Sequence, residues 1–470
     1  MKPRVAILGA GPAGLGAAWK LTELSEGEIV LFEKSDRVGG LAGSFSASGV
    51  TVDFGAHRLH AGAEPEVLDR LKALLGPSLR ERPRRGAIRL QGRWLNFPLQ
   101  FADLLLKFPP GLALRCLLDY SLGFLSGHPV SHADYEGFVR GKFGHTFYEL
   151  FYRPFAVKVW GLPPDQMSAD QARRRIRTQS LVALARKVIL GAIKTSRADG
   201  SIYYYPRKGY GQICDDIHRE ILTRGVEVKL RAGVRALQRE GDGFLVEFDE
   251  GGRAGRISAD CIISTIPLTL LVNLFDPPPG FEVVEASRSL RYRSIILVYL
   301  IVGRPRVGDR DAYYFPEEQF IFNRVSEQKN FSEEMVPEDR TVLCCDISCN
   351  RGDGTWLSQD SGLVERAISD LEKVGLLAPS EVSDYFVRRI EFAYPIYDLT
   401  YRDALDTLVR YCHSIPNLVT IGRQGLFLHN NTHHSLLMGF RAAEYLVRGG
   451  AGGRSWDDNI AEFDTFQVID

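Results

Sequence analysis

Arg4-Val5-Ala6-Ile7-Leu8-Gly9-Ala10-Gly11-Pro12-Ala13-Gly14 decides the fold of the N-terminal part of the chain. A short apolar run ends in glycine, and from Gly14 to Leu24 the apolar positions recur at helical spacing. Glu28-Ile29-Val30-Leu31-Phe32-Glu33 follows as a second strand, so one β-α-β unit fits within about 30 residues. In G-x-G-x-x-G, Gly9 permits the tight turn, Gly11 lets backbone approach a pyrophosphate, and Gly14 lets the helix pack on the strand. Pro12 and Ala13 start the helix, whose unpaired N–H groups and dipole favour phosphate. Glu33, ending the second strand, can accept from ribose hydroxyls. The unit therefore reads as a dinucleotide cofactor site of Rossmann type.

Working outward, 470 residues exceed what one hydrophobic core supports, so two or three lobes are expected. Lys+Arg and Asp+Glu both number 58, which gives a nucleic-acid partner no electrostatic support. The seven cysteines are odd in number and scattered, as in reduced thiols rather than a disulfide framework. No apolar run reaches the length of a membrane span, and a cytoplasmic protein is expected.

The segment after Glu33 chooses the cofactor. Lys34-Ser35-Asp36-Arg37-Val38-Gly39-Gly40-Leu41 completes E-x-x-x-x-x-G-G, in which adjacent glycines let backbone run close to a ligand and Arg37 can face phosphates. This pattern resembles the second flavin signature of the glutathione-reductase and amine-oxidase type enzymes, and implies non-covalent FAD. Further segments resemble UDP-galactopyranose mutases: Asp53-Phe54-Gly55-Ala56-His57, Arg153-Pro154-Phe155 through Lys158, Trp160 and Pro163, and Tyr203-Tyr204-Tyr205-Pro206. Tyr313-Tyr314-Phe315-Pro316 with Phe322-Asn323-Arg324, Phe392-Ala393-Tyr394-Pro395, and Asn431-Thr432-His433-His434-Ser435 complete the series. They run in family order from residue 4 to about 447.

The resemblance implies that Gly55, His57, Val234, Gly422, Asn431 and Ser435 join Gly9, Gly11, Pro12, Ala13, Gly14, Glu33, Lys34, Arg37, Gly40 and Leu41 around the flavin. It implies Arg175 and Arg324 on a diphosphate, with Tyr314, Tyr394 and Asn323 orienting the substrate. The implied reaction interconverts pyranose and furanose forms of a nucleotide sugar, with N5 of reduced FAD as nucleophile and NAD(P)H as external reductant. An oxidase or dehydrogenase of the amine-oxidase and protoporphyrinogen-oxidase type shares the two flavin signatures. A non-catalytic flavin-binding protein is a third reading. One departure stands out. Mutases carry a second diphosphate-binding arginine shortly before the last flavin helix, where Phe427 and Leu428 fall here. Either Arg423, His429 or another cation replaces it, or the substrate lacks the usual diphosphate.

His433 and His434 are read as helix-start residues near the flavin and not as metal ligands, because no carboxylate accompanies them in sequence. Glu391 and Asp346 are declined as an acid–base pair, since cofactors carry the hard chemistry. The expected architecture is α/β: an FAD domain from residues 1–64, 200–285 and 415–450, a helical lobe over 65–199, a substrate-facing β-sheet domain over 286–414, and a tail over 451–470.

Overall fold

The apolar N-terminal strand pairs with the next strand of its own β-α-β unit on one side and with the distant strand Cys261–Ser264 on the other. The computed structural model describes residues 3–25, 27–97, 107–125, 133–176, 202–448 and 455–468. Five parallel strands form one sheet in the order Glu227–Lys229, Glu28–Phe32, Arg4–Leu8, Cys261–Ser264 and Leu418–Thr420. Ala6, Ile7, Leu31, Ile262 and Ile263 are fully buried, as a parallel sheet covered on both faces requires. Helices Pro12–Leu24, Gln212–Thr223 and Thr432–Arg448 lie over one face. An antiparallel meander (Ala232–Glu240, Gly243–Glu250, Arg253–Ala259) and helix Tyr401–His413 cover the other.

Helices Pro12–Leu24 and Thr432–Arg448 meet main chain to main chain at two glycines. A Cβ on Gly16 would stand 2.8 Å from the Leu436 carbonyl oxygen, and one on Gly439 would stand 2.4 Å from both Ala13 O and Ala17 N. The first and last helices over this face of the parallel sheet are thus joined backbone to backbone.

The second large sheet has seven strands: Val382–Pro395, Tyr292–Val302, Thr341–Cys349, Arg324–Glu327, Ala312–Tyr314, Gly86–Leu90 and Arg93–Phe97. The last two, with Leu79–Pro83 of a small three-stranded sheet, fall in the segment expected to be helical. Their alternation is brief and rich in arginine, so the period-2 signal is weak. Helices Pro65–Leu75, Pro110–Leu125, Tyr135–Phe143 and Arg153–Trp160 do form in that segment. Its portions 98–106, 126–132 and 177–199 lie outside the described residues. The far face of the seven-stranded sheet is closed by helix Asp360–Lys373, over a core that includes Cys345 and Cys349. All seven cysteines are free thiols, as their scatter suggests.

The C-terminal segment packs on the body through helix Trp456–Asp464 and buried Trp456, Phe463, Phe466 and Val468. Among the described residues no helix is long and apolar enough to cross a membrane.

The helix crossing sets an expectation. Gly439→Val inserts a side chain against main chain that cannot rotate away, so its cost should reach the upper end of the roughly 1–3 kcal/mol typical of overpacking. A thermal melt followed by circular dichroism should show a lowered midpoint. A variant that melts with wild type would contradict the tight crossing.

Candidate active site

The N-terminal turn is shaped by three different glycine constraints. Gly9 has φ +103°, and a Cβ there would collide with Thr265 Oγ1 at 2.3 Å. Gly14 has no room for a Cβ, because Gly9 O would lie 2.0 Å away. At Gly11, by contrast, a Cβ would meet nothing within 4 Å. Bare backbone there is not demanded by the protein's own packing. Behind it, helix Pro12–Leu24 starts with no side-chain cap and no acidic residue in its first turn. The second glycine pair closes on the same spot: Gly40, φ +51°, would place a Cβ 3.4 Å from Gly11 Cα, and Gly39 N donates to Ala10 O at 2.8 Å. Glu33 is buried and accepts from Ala10 N at 3.0 Å and Ser35 N at 2.9 Å, which fixes the carboxylate beside the turn. Lys34 is exposed, and Arg37 lies over the Phe45 and Phe54 rings at 5.5 and 4.9 Å. Val234 sits at a bulge in the strand whose Ala232 N donates to Glu33 O, so the meander approaches the cradle at the glutamate.

Asp53 organises the next layer. Its buried carboxylate accepts from Ser44 Oγ at 2.5 Å, Tyr210 N at 3.0 Å and the Tyr205 hydroxyl, while Tyr299 Oη donates to its carbonyl at 2.6 Å. Burial pushes its pKa up to about 6 against the pull of those donors. The Tyr210 ring is thereby placed to stack on His57, at 5.2 Å between centroids. Gly55, φ +85°, carries the chain past this point, and its Cβ position lies 3.5 Å from Arg324 Nη2. Neither Asp53 nor Tyr210 stands out in sequence, although Asp53 opens a quoted motif and Tyr210 lies four residues after another.

Strand register decides which side chains of the seven-stranded sheet share a face. Arg388, Leu297, Asp346, Arg324, Tyr314, Ile88 and Leu95 occupy one row across all seven strands. Directly paired residues project to the same face, so Arg324 meets Asp346 on one side and Tyr314 on the other. Arg324 Nε donates to Asp346 Oδ2 at 2.8 Å and Nη2 reaches the same oxygen at 2.5 Å. The Tyr314 ring packs on Phe97 at 4.3 Å, and its buried hydroxyl has no hydrogen-bond partner among the described residues. Asn323 Oδ1 accepts from Ser348 Oγ at 3.0 Å. Lys158, from the helix of the R-P-F stretch, donates to Phe315 O, Glu317 O and Phe322 O, which ties down the turn between Tyr314 and Arg324. Glu391 and Asp346 do not form a pair, since Glu391 binds Arg351 at 2.6 Å.

Arg175 belongs to a second group. Its guanidinium lies 4.8 Å from the Trp160 ring centre and 4.9 Å from that of Tyr394. Arg423 lies 5.1 Å from the same Tyr394 ring and donates to Asn430 O at 2.6 Å. Beneath them His429 is fully buried, its Nε2 3.1 Å from Gln171 Nε2. Burial first, then the charges of Arg175, Arg423 and Arg174, hold the imidazole well below its ordinary range and therefore neutral. Gly422, φ +84°, would place a Cβ 3.0 Å from that of Ala13, which brings the Arg423 segment against the flavin-type turn.

At the start of the last helix Ser435 N donates to Asn431 O, and Asn431 N to His434 Nδ1 at 3.1 Å. The fold supplies the carboxylate that sequence proximity does not: Glu64 Oε1 lies 3.6 Å from His434 Nε2, and Oε2 lies 3.9 Å from His433 Nε2. His433 and His434 are thus accompanied by a carboxylate from another part of the chain, contrary to the sequence reading.

With this geometry in place, comparison with known proteins assigns the family. A family model described as flavin containing amine oxidoreductase matches residues 12–446. The chain belongs to that family. Among curated relatives, mitochondrial protoporphyrinogen oxidase of Nicotiana tabacum is 29% identical over 203 residues, covering 41% of this chain and 39% of the relative. The putative flavin-containing monoamine oxidase AofH of Mycobacterium tuberculosis is 27% identical over 299 residues, covering 58% and 59%. The alignments therefore span well under two thirds of either relative. In fold, the chain is similar to reduced UDP-galactopyranose mutase, with TM-score 0.82, 23% identity and coverage of 95% and 94% of the two chains. It is also similar to a putative protoporphyrinogen oxidase from Exiguobacterium, with TM-score 0.73, 18% identity and coverage of 96% and 99%.

The residues of this amine oxidoreductase family member fit the flavin that the family implies. Open space at Gly11, an uncapped helix start and the two positive-φ glycines leave a cradle that protein atoms do not fill. Gly11→Val should consequently fold with an unchanged melting profile in the absence of cofactor, yet purify colourless. A yellow variant with full flavin content would refute the cradle. Arg324→Met leaves the Asp346 carboxylate, 2% exposed, without its cation, which typically costs about 3–5 kcal/mol. Adding Asp346→Asn should recover most of that loss in a urea titration, and failure to recover it would deny the pairing its structural weight.

Proposed function

We propose that this flavin-dependent enzyme is a mutase that interconverts pyranose and furanose forms of a nucleotide sugar. The observation that carries the reading is the sign of the site. Arg175 and Arg423 lie on the Tyr394 ring, while Arg324, paired with Asp346, stands beside Tyr314. Its buried carboxylates are engaged, Asp53 by Tyr205, Ser44 and Tyr210, and Asp346 by Arg324. A cationic amine would be repelled from such a site, whereas a diphosphate would be drawn to it.

On this reading the flavin, when bound and reduced, supplies the nucleophilic ring nitrogen. The chain's own residues bind and orient. Tyr314 offers its buried hydroxyl to the nucleotide sugar. Arg175 and Tyr394 hold the leaving diphosphate, and Arg324 is fixed by Asp346 at the floor of the substrate sheet. The His57 imidazole, stacked on Tyr210, faces the flavin ring side. The flavin unit comprises residues 1–64, 200–285 and 415–450, and strands 86–97 extend the substrate sheet. NAD(P)H serves as the external reductant.

A protoporphyrinogen-oxidase-like activity is the second reading, because arginines also suit a substrate bearing carboxylates and one curated relative is such an enzyme. Redox stoichiometry separates the two. A mutase returns its flavin to the same redox state after each turnover, while an oxidase passes on two electrons per product. Protein reduced anaerobically with dithionite, freed of excess and given UDP-galactopyranose is expected to form many products per flavin while staying reduced. Bleaching of oxidised enzyme by a substrate, with recovery in oxygen and peroxide matching product, would establish the oxidase instead.

A further inference from the structure

Two distant segments of the chain meet through three side chains that can ligate a metal. Glu64 precedes helix Pro65–Leu75, and His433 and His434 lie in the first turn of helix Thr432–Arg448. One ligand atom from each of the three lies within 4.8 Å of the other two. The Glu64 carboxylate oxygens stand 3.6 Å from His434 Nε2 and 3.9 Å from His433 Nε2. An N–H···O hydrogen bond closes to about 2.7–3.2 Å, so neither contact is a good one. Two ligands on one tetrahedral ion, each at about 2.1 Å, lie about 3.4 Å apart, which a small inward movement of these side chains reaches.

The surroundings leave the three groups incompletely satisfied. Glu64 makes no side-chain capping bond to its helix, and its Oε2 is buried without a hydrogen-bond partner among the described residues. No lysine or arginine forms an ion pair with it among those residues, and the nearby Arg441 pairs with Glu66, Glu444 and Glu462. His433 is 1% exposed, and its Nδ1 likewise lacks a partner. Buried polar atoms left unpaired are costly, and an ion or water is the ordinary reason for them. Burial first, then the neighbouring imidazoles, holds both histidines below their ordinary range and therefore neutral, the form that binds metal.

Packing alone explains part of the arrangement. Phe466 stacks on His434 at 4.3 Å, and Asn431 N lies 3.1 Å from its Nδ1. It gives no reason for a carboxylate set between two neutral imidazoles beyond good hydrogen-bonding reach. A metal on Nε2 leaves the ring proton on Nδ1, so the Asn431 amide must then turn to another acceptor, at the cost of one hydrogen bond.

We propose that Glu64, His433 and His434 form a binding site for a divalent transition metal of the zinc class, which ties the start of the last helix to helix Pro65–Leu75. Two imidazoles and a carboxylate suit zinc and its neighbours, whereas magnesium and calcium prefer oxygen ligands throughout. Water completes the coordination shell. Nothing in the site depends on which reaction the flavin supports.

The experiment uses flavin-loaded protein, stripped with EDTA and dialysed, to which zinc, magnesium or calcium is added. Bound metal is counted by elemental analysis after gel filtration, and melting midpoints are read in parallel. Wild type is expected to retain one zinc per chain and to melt higher with it, and to retain neither magnesium nor calcium. Glu64→Gln, at a partly exposed position, should weaken zinc roughly tenfold or more while matching the wild-type midpoint in EDTA. His433→Gln should lose zinc likewise. His413→Gln alters the His413–Asp457 pair elsewhere in the fold and should leave zinc binding unchanged. Wild type that retains no zinc, or Glu64→Gln that binds it as tightly as wild type, would overturn the site. So would zinc binding that His413→Gln abolishes.

Discussion

Helices Pro12–Leu24 and Thr432–Arg448 come from opposite ends of the chain and meet at Gly16 and Gly439 with main chain against main chain. That contact sets how far the last helix stands from the glycine turn. Through it the Gly422 segment is brought against Ala13. The start of the last helix, with Asn431, His434 and Ser435, is held by the same crossing. Side chains of ordinary size at either glycine would separate the two helices and open the cradle between them.

Charge is partitioned across the site in a way that net charge conceals. With 58 basic and 58 acidic residues, the molecule as a whole steers nothing. Locally, burial decides which charges count. Asp346 is almost wholly buried and takes the Arg324 fork, and Asp53 is surrounded by donors. Arg175 and Arg423 rest on an aromatic face instead, and the histidine beneath them is kept neutral. No run of basic residues announces this arrangement except Arg173-Arg174-Arg175. Even there the three neighbours diverge: Arg173 pairs with Asp170, Arg174 with Asp464, and Arg175 alone turns to Trp160 and Tyr394.

The C-terminal segment ties these parts together. Val468 N donates to Arg174 O, and Arg174 reaches back to Asp464. Phe466 stacks on His434 at 4.3 Å. One short stretch thus braces both the arginine segment and the start of the flavin-side helix, and its polar, glycine-containing sequence gives no sign of that role.

What the sequence by itself determined is everything that rests on local spacing. Gly9, Gly11 and Gly14 with Glu33 announce a dinucleotide cradle, because turn geometry, helix start and strand end all lie within one stretch of chain. The β-α-β order and the helix start at His433 and His434 were legible for the same reason. What only the tertiary structure decided is whatever depends on register and on contact between distant segments. Strands Gly86–Leu90 and Arg93–Phe97 have weak alternation and exist because a sheet edge accepts them. Arg324 faces Asp346 because their strands pair in that register, and no interval along the chain specifies it. Glu64 stands beside His433 and His434 only after some 370 intervening residues have folded, a separation at which pattern carries no information about approach.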